Sequence, residues 1–233
     1  GIIPLPQLLR MSMEYGADSM RRPVEIEFAC NVNADRTADF YLLQIRPIVD
    51  SKQMLDEDVA SIPDSRCLLR SHRSLGHGVC EDVCDVVYVK YDDDFTAMNN
   101  PRVADDIERI NRKFLADDRG YVLVGPGRWG SSDSWLGVPV KWPHISAARL
   151  IVEVALKNYR VDPSQGTHFF QNLTSFGVGY FTIDTNTGDG LFKKELLDSM
   201  EAIEETEYVR HVRFAKPLRI LMDGMKQEGV CLC

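Results

Sequence analysis

The feature that most constrains the fold is the stretch Val49–Asp64, which is rich in Asp, Ser and Lys, poor in apolar residues, and preceded by Pro47. A segment of this composition does not carry a continuous hydrophobic core, so the chain reads as two units joined by a linker. The expected division is one unit over 1–50, a linker over 51–64, and a larger unit over 65–233.

Upstream of the linker, Leu8, Leu9, Met11, Met13 and Tyr15 lie among polar residues in a loosely helical pattern over 5–20. Two apolar runs follow, Val24–Ala29 and Phe40–Ile45, separated by the polar stretch Asn31–Asp39, the pattern of a hairpin with a long loop. Downstream, Cys67–Leu69 and Val86–Tyr91 predict strands around a turn at Ser74–Gly78. Asn100–Ala116 predicts a helix, with Val103, Ile107, Ile110 and Phe114 on one face and Pro101 in the first turn. Tyr121–Val124 predicts a short buried strand.

Ser146–Tyr159, carrying Ala148, Leu150, Ile151, Val154, Ala155 and Leu156, predicts a largely buried helix, and Leu191–Ile203 an amphipathic one. Gly177–Ile183, Tyr208–Phe214 and Leu218–Met222 predict strands, the last before an Asp223-Gly224 turn. The expected class is α+β: a mixed sheet with packed helices, preceded by a β-hairpin.

Charge and cysteine usage narrow the functional classes. Lys and Arg number 27 against 35 Asp and Glu, a formal charge of −8, the opposite of a nucleic-acid footprint. No apolar run approaches the roughly 20 residues of a membrane span, and Leu150–Leu156 is interrupted by Glu153. The expectation is therefore no nucleic-acid partner and no membrane. Six cysteines without a Cys-x-x-Cys pair read as reduced thiols of a cytoplasmic protein. A zinc site built on Cys80 and Cys84 with His72 or His77 is the less favoured reading. Gly1-Ile2-Ile3-Pro4 has no basic start and no full apolar stretch, which argues against a signal peptide, and the lack of an initiator Met reads as a piece of a longer polypeptide.

The first chemical constellation is Glu25-Ile26-Glu27-Phe28-Ala29 followed by Tyr41-Leu42-Leu43-Gln44-Ile45-Arg46-Pro47. In adjacent antiparallel strands, alternation puts Glu25 and Glu27 on one face and Gln44 and Arg46 on one face of the partner. Carboxylate and amide oxygens suit Mg²⁺, and a guanidinium neutralises phosphate oxygens. On spacing alone, an amphipathic hairpin with a cross-strand Glu–Arg pair explains the same residues.

These words resemble the end of the ATP-grasp nucleotide-binding domain in the phosphoenolpyruvate synthase and pyruvate phosphate dikinase family. The resemblance covers about residues 8–50 and implies that Glu27 and Gln44 contact Mg²⁺ and ATP, with Arg46 facing the phosphates. Glu25 stands where the family commonly has Asp, and the Asn31–Asp39 loop looks longer than the family's turn. The residues that hold the adenine in that family have no counterpart here, so the resemblance implies a missing N-terminal part of the same polypeptide as partner.

The same family carries its phosphoryl group on a His in Gly-Gly-x-Thr-x-His-Ala, with a Gly about nine residues later before an apolar strand. Ser164-Gln165-Gly166-Thr167-His168-Phe169-Phe170 is similar, and Gly177 precedes Val178–Ile183 at that spacing. One Gly is lost, however, Thr167 abuts the His, and two Phe replace small residues. His168 is thus the candidate catalytic phosphoryl carrier, with a packing or capping His as the alternative.

Gly125-Pro126-Gly127-Arg128-Trp129-Gly130, running on to Gly137, is the most unusual stretch. Small residues let backbone amides approach an anion and Arg128 can fork onto it, so Gly125, Gly127, Arg128 and Gly130 are candidate anion-binding residues. A structural loop whose Trp residues belong to the core is the alternative. The leading expectation is the C-terminal piece of a phosphoenolpyruvate synthase-like enzyme that uses Mg-ATP to phosphorylate pyruvate or a related small-molecule acceptor, inactive alone. The second is a non-catalytic anion-sensing or interaction domain fused to an ATP-grasp module.

Overall fold

The computed structural model describes residues 4–20, 24–33, 35, 37–47, 55–91, 96–131, 133, 135–155, 173 and 176–233. The chain divides into two compact units, Gly1–Asp50 and Ser51–Cys233.

The first unit is a helix, α1 (Leu5–Met20), on a hairpin of β1 (Val24–Val32) and β2 (Ala38–Pro47). The antiparallel register runs from Val24↔Pro47 to Val32↔Ala38, with a bulge after Glu27 that leaves Leu43 without an opposite residue. Alternation sends Val24 and Ile26 toward the helix and the intervening glutamates away from it. Gly16 permits the close approach, since a Cβ there would lie 2.1 Å from Ile45 Cδ1. The connection expected over Asn31–Asp39 is shorter, because both strands extend into it and Asn33 N–H donates to the Thr37 carbonyl at 2.9 Å.

The second unit opens with 3₁₀ turns at Val59–Ser61 and Asp64–Arg66, then β3 (Cys67–Ser71), β4 (Ser74–Leu75) and β5 (Gly78–Val89). Helix α2 (Asn100–Ala116) leads into β6 (Tyr121–Pro126), β7 (Arg128–Trp129) and β8 (Gly137–Val138). The single turn α3 (Trp142–Ile145), β9 (Ala148–Val154), β10 (Gly179–Ile183) and β11 (Leu191–Phe192) follow. A short helix at Lys194–Ser199, β12 (Ala202–Glu205), β13 (Val209–Asp223) and β14 (Glu228–Leu232) complete the chain.

The large sheet has the order β11-β3-β14-β13-β5-β6-β9-β10-β4, with β12 beside β13. Strands β5, β6, β9 and β10 are parallel and the other pairs antiparallel, which makes the sheet mixed. The sheet curls, so that Ser71 Oγ on β3 donates to the Thr182 carbonyl on β10 at 2.7 Å. One face carries Val86, Tyr88, Val122, Val124, Leu150, Val152 and Phe181. The other carries Val87, Leu123, Ile151 and Tyr180 under the apolar stripe of α2. Helices on a large curled mixed sheet are the coarse α+β architecture the sequence predicts.

Three expectations are corrected. The predicted helix at Ser146–Tyr159 is strand β9 through Val154, held between β6 and β10 with apolar clusters on both faces. A strand buried on both faces is apolar throughout, so its pattern matches that of a buried helix. Leu191–Ile203 is broken into β11, the short helix and β12. The predicted strands at Tyr208–Phe214 and Leu218–Met222 are one strand, with a register shift between Arg213 and Leu218 where Pro217 cannot donate to the ladder.

Part of the predicted linker is also built in: Val59 and Ile62 are buried against Cys67, Leu221, Val230 and Leu232. Arg70 anchors it, bonding Asp64 at 2.6 Å and the Val59 carbonyl at 3.3 Å.

Candidate functional site

On the hairpin, the register sets Glu27 opposite Gln44 and Glu25 opposite Arg46. Glu25 and Glu27 are exposed and Gln44 is half-buried, on the side of the strands away from α1. Directly opposed residues share a face, so the Glu27 carboxylate and the Gln44 amide stand side by side and offer oxygen ligands to a hard cation. Among the described residues no group of three or more His, Cys, Asp or Glu is arranged to hold a metal ion.

The other side of the hairpin is apolar. An open cleft of about 450 Å³ is lined by Leu8, Met11, Ser12, Tyr15, Leu42 and Ile45 among others. Met11, Tyr15, Leu42 and Leu43 are exposed. So much exposed apolar surface is unusual for a free-standing unit of this size.

The glycine-rich loop leaves the parallel sheet at the end of β6, where Pro126 lies opposite Val154 at the end of β9. Its amides already have acceptors. Gly127 N–H donates to the Val154 carbonyl at 3.1 Å, Arg128 N–H to Leu136 at 3.2 Å, and Gly130 N–H to Val138 at 2.9 Å. Trp129 N–H donates to Glu153 Oε1 at 3.0 Å, and its indole N–H to the Val152 carbonyl at 3.0 Å. The amides of Gly127, Arg128, Trp129 and Gly130 thus donate within the chain, which weighs against a cradle of backbone amides for an external anion at Gly125, Gly127, Arg128 and Gly130. The Glu153 side chain of the adjacent strand is the acceptor for one of these amides, that of Trp129.

The glycines serve packing instead. A Cβ on Gly125 would meet Trp129 Cζ2 at 2.4 Å, and one on Gly137 would meet the Arg128 carbonyl oxygen at 2.0 Å. Trp129 is accordingly a core residue, 1% exposed, whereas Trp135 at the loop's tip is 63% exposed.

The zinc reading finds no support in the described residues. Cys80 Sγ bonds Asp82 at 3.0 Å, His72 pairs with Glu228 at 2.9 Å, and His77 Nδ1 accepts the Gly224 N–H at 3.3 Å. His168 lies outside the described residues.

Two buried polar assemblies escaped the sequence reading. Asp85 is 3% exposed and accepts from His211, Arg119 and Arg213. Asn111 on α2 is fully buried and ties Tyr121, Ala147 and Pro143 together. For Asp85 the available signal was a lone acid before the apolar run Val86–Val89; Asn111 sits among polar helix residues and gave none. No described helix is long and apolar enough to cross a membrane. In comparisons with known proteins, no family model, no curated protein and no solved structure matches the chain.

Proposed function

We propose that the chain is part of a cytoplasmic ATP-dependent phosphotransferase similar to phosphoenolpyruvate synthase, acting on pyruvate or a related small acceptor. The observation that carries this reading is the hairpin register, which sets Glu27 opposite Gln44 and Glu25 opposite Arg46. In this reading Glu27 and Gln44 hold Mg²⁺ on the triphosphate, and Arg46 neutralises phosphate oxygens. Mg²⁺ supplies charge neutralisation and alignment of the phosphates when bound; the chain supplies oxygen ligands on a rigid two-stranded frame.

The exposed apolar cleft between α1 and the hairpin supports the companion proposal that this unit completes a larger nucleotide-binding domain formed by preceding sequence. His168 is the proposed phosphoryl carrier, which requires a ring nitrogen free to attack phosphorus. The internally bonded glycine-rich loop weighs against the alternative anion sensor.

The test is incubation of the full-length polypeptide bearing this sequence with Mg²⁺ and ATP labelled at the β or γ phosphate. Acid-labile, base-stable label is expected on the wild type, absent from His168→Ala and strongly reduced in Glu27→Gln. No label on the wild type would overturn the phosphohistidine step. Label unaffected by Glu27→Gln would remove the hairpin from the nucleotide site.

A further inference from the structure

We propose that the second unit carries a binding site for a phosphate-class oxyanion on Arg119 and Arg213, independent of the nucleotide reading of the hairpin. The site is built on Asp85, which the register places opposite Arg213 on β13 and opposite Tyr121 on β6. Asp85 Oδ1 accepts from Arg213 Nε at 2.9 Å and pairs with His211 Nε2 at 2.6 Å. Oδ2 accepts from Arg119 Nη1 at 3.1 Å and Arg213 Nη2 at 3.3 Å. One guanidinium suffices to neutralise a buried carboxylate; this one holds two, and an imidazole besides.

The two cations are fixed but not enclosed. The side chains of Asp85 and His211 are 4% and 6% exposed, whereas those of Arg119 and Arg213 are 38% and 39% exposed. Phe114 supports the group from below, 5.1 Å under the Arg119 guanidinium and 5.2 Å from the His211 ring. A guanidinium has five N–H donors, and the bonds to Asp85 and Asp117 leave donors unused on both arginines. Both guanidiniums reach Asp85 Oδ2 and both are part-exposed, which sets the two cations side by side at the surface.

Asp117, with a side chain 55% exposed, takes Arg119 Nη2 at 2.7 Å and so stands where one oxygen of a ligand would bond. Asp118, between Asp117 and Arg119 in the chain, is also exposed, and Arg149 and Asp82 form a loose exposed pair 4.0 Å apart. An incoming tetrahedral oxyanion exchanges the solvated Asp117 contact for charge-assisted bonds to two pre-positioned forks, while buried Asp85 keeps them in place.

The experiment is a titration of the chain with inorganic phosphate at constant ionic strength, followed by calorimetry and by thermal unfolding, with chloride and acetate in parallel arms. Saturable binding of phosphate is expected, with acetate weaker and chloride without effect. Arg119→Gln and Arg213→Gln are expected to weaken it roughly tenfold each, as loss of a charge-assisted bond does. Asp117→Asn changes only an exposed side chain, so its fold is secure, and it is expected to tighten phosphate binding several-fold. Equal stabilisation by all three anions, or phosphate binding indifferent to Asp117→Asn and both arginine variants, would overturn the site and leave Asp85 as the centre of a structural clamp.

Discussion

The Glu153 carboxylate on β9 accepts the backbone N–H of Trp129 at 3.0 Å, from a position only 3% exposed to solvent. With this contact the amides of Gly127, Arg128, Trp129 and Gly130 all donate to acceptors of the same chain, one of them a carboxylate side chain. Glu153→Ala removes that acceptor from a buried donor and is expected to destabilise the second unit by about 3 kcal/mol in urea unfolding. Formate should restore part of the lost stability in this variant and leave the wild type unchanged. Absence of that rescue would mean that the carboxylate is held by the loop rather than holding it.

Asn111 sits at the junction between α2 and the turn before β9. Its Oδ1 accepts from Tyr121 O–H at 3.1 Å and from Ala147 N–H at 3.0 Å, and its Nδ2 donates to the Pro143 carbonyl at 3.0 Å. Asn111→Ala leaves two buried donors and one acceptor unmatched, and a loss of about 2–4 kcal/mol is expected. Asn111→Asp keeps both acceptor contacts but buries a charge facing a carbonyl, so its destabilisation should shrink as pH is lowered toward the carboxylate range. A surface-like cost below about 0.5 kcal/mol for the alanine variant would contradict the junction role.

Gly137 and Gly188 separate close packing from backbone conformation. A Cβ on Gly137 would lie 2.0 Å from a backbone oxygen, whereas at Gly188, with φ of +76°, nothing lies within 4 Å. Gly188→Ala should cost only the left-handed backbone penalty, about 1 kcal/mol. Gly137→Ala must part β7 from β8 and should cost at least twice as much, together with increased solvent exposure of Trp129 readable in its fluorescence. Equal costs at the two positions would show that the loop yields freely.

The sequence was most informative where one face of an element meets water. Helix α2 is legible because Val103, Ile107, Ile110 and Phe114 recur on one side while Arg112 and Glu108 pair on the other. Strand β9 was misread because Leu150, Val152 and Val154 serve one core and Ile151 the other, which erases the alternation that marks a half-buried strand. Alternation gave only which hairpin residues share a face; the opposition of Glu27 and Gln44 comes from the register, which shifts just after Glu27. The contact of Glu153 with the loop was not legible either, because Gly125 and Glu153 are neighbours only through the parallel β6–β9 register.

Thiol chemistry provides a pH test of the sheet interior. Burial, reinforced by the Asp82 carboxylate that accepts its S–H, pushes the Cys80 thiol up to about 12, and burial is also the largest cause that raises Cys67 and Cys231. A raised folded-state value means that the native chain keeps protons the unfolded chain gives up. The stability these groups contribute is therefore intact below about pH 9, the unfolded thiol value, and is lost as pH rises through about 12. Tyr88, raised by burial and by its bond to Asp198, adds to the same alkaline loss. The urea midpoint should be flat from pH 7 to about 8.5 and fall steadily above pH 9. At pH 8 a thiol reagent should modify exposed Cys233 well before buried Cys67 and Cys231, as read by peptide mass mapping. Modification of Cys231 at the rate of Cys233 under native conditions would mean that β14 parts from β3 or β13 on the timescale of the reaction.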